Sequence, residues 1–408
     1  MTRVLHLAPS TGDPDRLTAH SFIDEEIAAL GGAGVACFVL SDGASAVDER
    51  QGVTILPVPG NPGFGEVGTA ARFAARHALR IPWYGSPWEL FHAVRVELAA
   101  SRAVAAYRID VVHSHFGWPA GFGGALASAE TGVPLVASLR GMDLLRSDAL
   151  GYGLRRDAAF DRALRRLLAT ATRTVYATEF MRTAGIEAGA PTERAVLIRK
   201  GVDLARFHPS ADRRAARRAL GVHTPIVLAV GTLIPRKGYN VLLNALAPLA
   251  ALPWTLVLCG DGPDRPLLEA QALALGLRDR VRFTGIVDRE TIARYFSAAD
   301  LFVHPAAVEA AGNVVLEALA AGVPVICTDS GGPREYVLDG QTGFVVPAND
   351  RAALTKEIRA LLEQPALRAS VSLTARLTAE RHYDYRRLVD EYVALYEDCR
   401  SGASAEAA

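Results

Sequence analysis

Short apolar runs alternate with helical stretches along nearly the whole chain, and this alternation limits the possible folds more than any other feature. The runs are rich in β-branched residues, as is typical of parallel strands buried on both faces. In the first half they cover residues 4–8, 35–40, 53–57, 111–114, 135–138, 174–177 and 195–198, and in the second half residues 226–230, 255–259, 281–283, 301–303, 323–327 and 343–346. The pattern predicts an α/β protein with two Rossmann-like domains and a cleft between them.

The strand–helix rhythm breaks around Gly201-Val202-Asp203 and Phe207-His208-Pro209, so we place the domain boundary in this segment. A new series of strands and helices begins after it, which indicates a second domain. The predicted parts are domains 1–204 and 205–382, a helix over residues 383–400 and a disordered tail over residues 401–408.

Composition narrows the class of protein. The 44 basic and 44 acidic residues balance, whereas a nucleic-acid-binding protein needs a basic excess. The four cysteines are far apart and mostly lie in strand-like runs, so we expect buried free thiols in a reducing compartment. The first ten residues are typical of a strand rather than a signal peptide, and no window reaches the roughly 20 apolar residues of a membrane helix. These features predict a cytoplasmic protein.

The stretch from Phe302 to Pro333 carries the strongest chemical signal. Two strand-like runs flank a helix that follows Gly312-Asn313, which makes one βαβ unit. Unshielded amides at a helix start bind anions, and ligands of open parallel sheets lie at the carboxyl ends of the strands. Glu309 would repel a phosphate, so we expect it to face a polyol hydroxyl, while Glu317 would hold ribose hydroxyls. Together these features describe a nucleotide-sugar site; the alternative is an ordinary helix with two solvated glutamates.

Two other loops follow strand-like runs of the second half. Arg236 and Lys237 come shortly after the run 226–230 and would neutralise a diphosphate, unless they are simply solvated loop cations. Gly285 and Ile286 end another run, where backbone groups could pair with the edge of a base. Each signal is weak alone, and together they support the nucleotide-sugar interpretation.

In the first half, His113 and His115 occupy alternate positions of one strand and therefore point to the same face. No third metal ligand is evident near them, so we predict no metal site. The two histidines either form a hydrogen-bonded structural pair, or contact an acceptor or act in acid–base catalysis at the cleft. Arg140 and Asp143 follow the next strand and place a cation and a carboxylate at the predicted cleft edge.

Two segments of the first half have open interpretations. Residues 60–95 combine aromatics, prolines and glycines, and form either a helical cover on the sheet or a ligand-contacting insertion. Residues 154–173 alternate arginines with apolar residues. This predicted basic helix either lies on an anionic membrane or is a solvated face over a core stripe.

The residues just described resemble those of the retaining glycosyltransferases of the GT-B fold in family 4 (group 1). The similarity extends over nearly the whole chain. GNVVLEALAAGVPVI and SGGPREYVLDGQTGFVVP resemble the family's most recognisable signature, and Glu309 and Glu317 match its paired glutamates. RKGVDLARFHP resembles the family's linker, GTLIPRKG its phosphate loop and FTGIV its base loop.

The resemblance implies a GT-B fold whose first domain binds the acceptor, whose second domain binds a nucleotide diphosphate sugar, and whose last helix crosses back onto the first domain. It also implies metal-independent hexosyl transfer to a hydroxyl with retention at the anomeric carbon, in which the leaving phosphate helps to deprotonate the acceptor. No cofactor is needed beyond the donor. The implied donor-binding residues are Thr232, Arg236, Lys237, Gly285, Ile286, Gly312, Asn313, Val314 and Glu317. The implied catalytic residues are Glu309, His115 and Arg140.

The chain departs from the family pattern at three places. Thr232 stands where members often carry arginine, so Arg236 would supply the missing charge. The loop after the first strand offers only Gly12 where many members have a Gly-Gly pair, and this segment looks more like the exopolysaccharide (colanic-acid-type) branch, which extends lipid-linked repeat units. Arg140 stands where many members have histidine, and it cannot act as a general base.

The expected partners are a UDP-, GDP- or ADP-type donor and an acceptor that is a glycan, a lipid-linked saccharide or a small metabolite. The expected location is the cytoplasm, with the inner face of the cell membrane as a peripheral alternative. Two other functions fit the same architecture: a nucleotide-sugar epimerase and a catalytically inactive nucleotide-binding scaffold. Intact Lys237, Glu309 and Glu317 argue against the scaffold.

Overall fold

The computed structural model describes residues 1–8, 21–41, 44, 46–58 and 87–406. It divides into two compact units, Met1–Ile198 with Val389–Ala408 and Arg199–Leu388. The division therefore falls six residues before the predicted boundary. The loop with Gly12 and most of the predicted insertion 60–95 lie outside the described residues.

The described part of the first unit contains an eight-stranded sheet. Its strands are β1 (Arg3–Leu7), β2 (Ala36–Ser41), β3 (Asp48–Arg50), β4 (Val53–Pro57), β5 (Val111–His115), β6 (Leu135–Ser138), β7 (Arg173–Tyr176) and β8 (Ala195–Leu197). They are ordered β3-β4-β2-β1-β5-β6-β7-β8, and all neighbours are parallel except the β3–β4 pair. Every strand predicted for the first half is present within one residue at each end. The exposed, charged β3 was missed because it has no apolar signal.

Among the described residues, five helices of the first unit precede the second unit in the chain. They are α1 (Ser21–Gly32), α2 (Pro87–Tyr107), α3 (Phe122–Thr131), α4 (Ala158–Thr170) and α5 (Glu179–Glu187). The predicted basic helix 154–173 is shorter than expected, because residues 154–156 form a separate 3-10 turn and Asp157 caps the start of α4 by accepting hydrogen bonds from two amides. Its apolar stripe is buried, as amphipathic spacing predicts.

The second unit contains a six-stranded, wholly parallel sheet. Its strands are β9 (Ile226–Val230), β10 (Thr255–Cys259), β11 (Val281–Gly285), β12 (Leu301–His304), β13 (Val325–Thr328) and β14 (Gly343–Val346), in the order β11-β10-β9-β12-β13-β14. Side chains of β9 alternate between two buried clusters, with Leu228 in one and Val227 and Ala229 in the other. The sheet is thus covered on both faces, which explains its near-continuous apolar runs.

The helices of the second unit supply that cover. They are α6 (Arg213–Ala219), α7 (Tyr239–Leu246), α8 (Arg265–Ala274), α9 (Arg289–Ala298), α10 (Asn313–Ala320), α11 (Arg351–Glu363) and α12 (Pro365–His382). Strand order places β9 between β10 and β12, so the loops after these three strands are neighbours at one edge of the sheet.

The last helix, α13 (Tyr385–Glu406), packs on the first unit from Val389 onward. Its Tyr396 hydroxyl lies 2.7 Å from His113 Nδ1, so the helix returns to the first unit as the resemblance implies. The helix also continues past residue 400, where the sequence predicts a disordered tail. Among the described helices, none is long and apolar enough to cross a bilayer.

Candidate functional site

A tight turn after β9 carries two cations. Gly238 in this turn has a φ of 70°, and a Cβ there would lie 2.1 Å from the carbonyl oxygen of Pro305, so only glycine fits. The close approach brings this loop against the loop after β12, where the amide of Ala307 donates to the carbonyl oxygen of Arg236 at 2.8 Å. The backbone therefore holds Arg236 and Lys237 beside the carboxyl end of β12.

Glu309 lies in the loop after β12 and meets both cations. Lys237 Nζ contacts its carboxylate directly. Arg236 Nη1 lies 3.5 Å from the same carboxylate oxygen and donates to the carbonyl oxygen of Val308 at 3.0 Å. Nε2 of His304 is 3.6 Å away, beyond hydrogen-bond length. The structure thus brings together the three charged residues that the sequence placed at neighbouring strand ends; we call Arg236, Lys237 and Glu309 the carboxylate–cation group.

The charges of this group are set by its surroundings. Burial alone would raise the pKa of Glu309, but the positive charges of Lys237 and Arg236 hold it well below its usual range. Burial lowers the pKa of His304, which keeps this imidazole neutral at pH 7. One carboxylate and two cations leave a net positive charge, which favours an anionic ligand.

The start of α10 adjoins the same carboxylate. Gly312 precedes the helix with a φ of 73°, and a Cβ there would lie 2.9 Å from the Pro333 ring and 3.6 Å from the Glu309 side chain. No side chain caps the helix. Because the first amides of a helix lack intrahelical partners, the N–H groups of Asn313 and Val314 offer donors to an anion.

Glu317 lies one turn into α10 and is paired with Arg289, the first residue of α9. Arg289 Nη1 lies 2.6 Å from Glu317 Oε1, and the Glu317 side chain is only 4% exposed. Arg289 was not predicted from the sequence. Its position gives no signal, because α6, α8 and α11 also begin with arginine.

The remaining predicted donor-binding residues lie in the same row of loops. The Gly260 amide donates to the carbonyl oxygen of Gly285 at 3.0 Å, and the Gly231 amide donates to that of Cys259 at 2.9 Å, so the loops after β9, β10 and β11 adjoin. Ile286 is 66% exposed, and Thr232 is exposed as well. Of the residues named for the phosphate, Arg236 and Lys237 contact Glu309, whereas no such contact is seen for Thr232 in the described part of the chain.

His115 and Arg140 belong to the first unit, where three buried histidines lie on adjacent strands. β1 pairs with β5 so that His6 is opposite His113, and His6 Nδ1 is 3.1 Å from His115 Nε2. The expectation that no third histidine lies near His113 and His115 was therefore wrong. It failed because β1 and β5 are neighbours in the sheet although far apart in the chain.

The hydrogen-bond polarity of these histidines follows from Arg140. Its Nη2 lies 2.5 Å from His115 Nδ1, and a guanidinium only donates. His115 Nδ1 must then be unprotonated, and its Nε2–H donates to His6 Nδ1. Burial lowers the pKa of His6 to about 3, so this ring is neutral as well. A metal ion on His115 Nε2 would have to displace that proton beside a cation.

His113 is also fully engaged. Its two ring nitrogens lie 2.7 Å from the Tyr396 hydroxyl and 2.8 Å from the Ser138 hydroxyl. Although the ligand atoms of the three histidines lie within 4.8 Å of one another, their existing partners and the adjacent guanidinium do not suit a cation. The trio fits a hydrogen-bonded network better than a metal centre.

Arg140 is anchored on its other side by Glu26 of α1. Arg140 Nη2 lies 3.0 Å from Glu26 Oε1, and the two side chains are 6% and 1% exposed. We call Glu26, Arg140, His115 and His6 the histidine chain. Asp143, expected at the cleft edge, is buried and instead accepts hydrogen bonds from the amides of Gly117 and Gly141, both at 2.9 Å.

The family models match both halves of the chain. "Glycosyltransferase Family 4" matches residues 20–206, and "Glycosyl transferases group 1" matches residues 212–378. Together they cover most of both units, and the gap between the two matches, residues 207–211, includes Phe207-His208-Pro209, where the sequence rhythm breaks.

Curated relatives of the chain are named as glycosyltransferases. The chain is 34% identical over 378 residues to the D-inositol 3-phosphate glycosyltransferase of Geodermatophilus obscurus, and the match covers 88% of this chain and 78% of that protein. It is 36% identical over 290 residues to the protein of that name from Streptomyces avermitilis, covering 66% of this chain and 61% of the relative's length.

Solved structures share the fold. Sucrose-phosphate synthase from Thermosynechococcus elongatus superposes with a TM-score of 0.81 over 98% of this chain and 100% of its own, at 22% identity. This likeness confirms the predicted fold class, an α/β protein of the GT-B type with two Rossmann-like domains. The relatives are named as transferases, which favours the predicted glycosyltransferase over the alternative of a nucleotide-sugar epimerase. The chain belongs to the family 4 glycosyltransferases and carries the group 1 domain in its second half.

Proposed function

We propose that this glycosyltransferase moves a hexosyl group from a nucleotide diphosphate sugar to an acceptor hydroxyl, with retention of configuration and without a metal ion. The observation that carries the proposal is the carboxylate–cation group: two cations and one ionised carboxylate at the carboxyl ends of neighbouring strands, beside an uncapped helix start. A diphosphate needs cations and amide donors, and both are present.

The donor would exchange partners with this group. We propose that the diphosphate takes over Lys237 and Arg236 and accepts from the amides of Asn313 and Val314. Glu309 would then lose its cations to the ligand and accept a hydrogen bond from a hydroxyl of the donor sugar. In the free protein the two cations hold the pKa of Glu309 well below its usual range, so the donor meets an ionised carboxylate that can accept.

The rest of the nucleotide would lie along the same row of loops. Glu317 would accept from the ribose hydroxyls, and backbone groups of Gly285 and Ile286 would pair with the base. Thr232 would contact the phosphate through its short hydroxyl only. The charge that other family members place there would come from Arg236, in keeping with its contacts beside Glu309.

The proposed chemistry needs no protein nucleophile. The bond between the anomeric carbon and the leaving phosphate oxygen breaks, the acceptor oxygen bonds to that carbon on the same face, and the acceptor proton passes to the leaving phosphate. Lys237 and Arg236 would stabilise the charge that develops on the diphosphate, the task that a metal ion performs in other enzymes. Glu309 would position the sugar.

His115 and Arg140 would act on the acceptor side. Arg140 cannot serve as a base, and both nitrogens of His115 already have partners within the histidine chain. We therefore propose that the two residues fix the shape and polarity of the acceptor-binding unit.

The acceptor class is the finer part of the proposal. We retain the exopolysaccharide-type prediction of a lipid-linked saccharide, and the names of the relatives add inositol 3-phosphate as a second candidate. We also retain a cytoplasmic location with peripheral membrane contact through α4, whose Arg162 and Arg166 are exposed opposite its buried stripe. Anionic vesicles should then pellet the protein at low salt and release it at high salt; no pelleting at low salt would refute the membrane contact.

A transfer assay tests the proposal. UDP-, GDP-, ADP- and TDP-sugars are each mixed with D-inositol 3-phosphate or a lipid-linked saccharide in EDTA, and the release of nucleoside diphosphate is followed. We expect one donor to react, with EDTA having no effect and with NMR showing the donor's anomeric configuration in the product. Inversion, or activity only with added metal, would contradict the mechanism. Donor consumption without an acceptor, giving an isomeric donor, would instead favour an epimerase.

A further inference from the structure

The buried ion pair between Arg289 and Glu317 joins two helices of the second unit. Glu317 lies within α10 and Arg289 begins α9, and their charged atoms are 2.6 Å apart. The carboxylate is almost completely buried, while the guanidinium keeps 30% of its exposure. A buried carboxylate requires a charged or hydrogen-bonding partner, and Arg289 supplies it.

The position of Arg289 runs against the preference of its own helix. The first turn of α9 is capped by Asp288, which accepts from the Thr291 amide at 2.7 Å. A cation in that turn faces the positive end of the helix dipole. Surface electrostatics of α9 therefore does not explain Arg289, whereas the charge of Glu317 does.

A second contact limits the freedom of the guanidinium. The Cζ atom of Arg289 lies 5.3 Å from the ring centroid of Phe207. Phe207 is a fully buried side chain in the core of this unit. This cation–π contact holds the guanidinium over the Phe207 ring. Its bond to Oε1 then limits the rotation of the Glu317 carboxylate.

We infer that Arg289 is a positioning residue that orients Glu317 and thereby gives this enzyme its selectivity for ribonucleotide over 2′-deoxyribonucleotide donors. The inference rests on the proposed function, in which Glu317 receives the ribose hydroxyls. Arg289 bonds to Oε1 and so sets the direction in which the carboxylate can accept from the ribose hydroxyls. An unheld Glu317 would rotate, and its bond to a ribose hydroxyl would lose its directional advantage.

The test compares ribose with deoxyribose on matched variants. Titration calorimetry measures the Kd of UDP, GDP and ADP and of their 2′-deoxy counterparts with the full-length wild type, Arg289→Ala, Arg289→Lys and Glu317→Gln. Arg294→Ala is the control, because it removes an exposed arginine from the same helix. Thermal melts confirm that each variant is folded at the titration temperature.

For the nucleotide that binds, we expect the wild type to prefer ribose by about tenfold, the worth of one charge-assisted hydrogen bond. Arg289→Ala and Glu317→Gln should reduce this ratio to about threefold or less, Arg289→Lys should restore part of it, and Arg294→Ala should leave it unchanged. A wild type without ribose preference, or an Arg289→Ala variant that keeps the full ratio, would overturn the inference about Arg289 but leave the proposed donor site standing. A wild type that binds none of the three nucleotides and no TDP would overturn the proposed donor site itself, whereas binding of the deoxyribonucleotide TDP alone would overturn only the inference.

If Arg289→Ala does not fold, Arg289→Lys decides the question. Lysine keeps the charge near Glu317 but lacks the planar guanidinium that lies over the Phe207 ring. A lower ribose ratio in Arg289→Lys, with its melting temperature close to that of the wild type, supports positioning. An unchanged ratio contradicts it.

Discussion

The carboxylate–cation group of the second unit and the histidine chain of the first unit both contain a carboxylate paired with a cation, but they differ in burial and in what the pair can do. Glu309 and Lys237 keep 12% and 13% of their exposure, whereas Glu26 and Arg140 are almost fully enclosed. A partly exposed pair can exchange one anion for another. A buried pair cannot separate without leaving a charge in the core. We therefore assign ligand exchange to the second unit and structural rigidity to the first.

The largest effect should come from breaking the buried pair. Arg140→Met leaves the Glu26 carboxylate enclosed without its guanidinium, so we expect the free energy of unfolding to fall by about 3–5 kcal/mol. Removing both charges, as in Glu26→Leu with Arg140→Met, should recover most of this loss. Urea denaturation measures each value.

The control for this prediction is the exposed pair of Arg146 and Asp148 in the same unit. Arg146→Met should cost less than about 1 kcal/mol, as is usual for surface ion pairs. If Arg140→Met costs no more than Arg146→Met, the proposed rigidity of the histidine chain is wrong.

A change in the partly exposed pair of Glu309 and Lys237 should give the opposite result, a loss of activity with little loss of stability. Glu309→Gln removes the charge that we propose to position the donor sugar, and we expect kcat/KM to fall about 100- to 1000-fold. The free energy of unfolding should change by less than about 1 kcal/mol, because Lys237 can extend toward water. Steady-state kinetics and urea denaturation are compared with those of Glu363→Gln, an exposed glutamate on α11. Full activity in Glu309→Gln would support the inactive-scaffold alternative.

The pH dependence of the free energy of unfolding tests whether the buried His6 of the first unit is held neutral. Burial lowers the pKa of His6 from 6.5 to about 3, so between these values the unfolded chain binds a proton that the folded chain does not. The stability that neutral His6 contributes is thus fully present above pH 6.5 and is lost as the pH falls toward 3, by up to about 1.4 kcal/mol per pH unit. His6→Gln should lessen the loss of stability between pH 6.5 and 4. The same slope in both proteins would show that His6 is not held neutral.

Much of the fold was predictable because parallel strands buried on both faces leave a strong signal in the sequence. The runs around Ile226–Val230 and Thr255–Cys259 match their strands residue for residue. Two local features were harder to predict. Strand β3 is short, polar and exposed, and the start of α4 depends on a cap at Asp157 within a continuous basic pattern.

The candidate site was predictable where its residues directly follow strand-like runs of the second half. Arg236, Lys237 and Glu309 could be placed together because parallel strands end at one edge of the sheet. His6 and Arg289 were missed because strand order and helix packing, which the local sequence does not encode, bring them to His115 and Glu317. The roles of all these residues in binding and catalysis stay predictions.

The most direct test of the account is the affinity for nucleoside diphosphates. Titration calorimetry of UDP, GDP, ADP and TDP is carried out on the wild type, Lys237→Ala and Lys356→Ala, the last of which removes an exposed lysine on α11. We predict that one nucleotide binds, that Lys237→Ala weakens it by roughly 10- to 150-fold, the worth of one charge-assisted bond, and that Lys356→Ala leaves it unchanged. Equal affinity in wild type and Lys237→Ala would contradict the proposed exchange between Glu309 and the diphosphate.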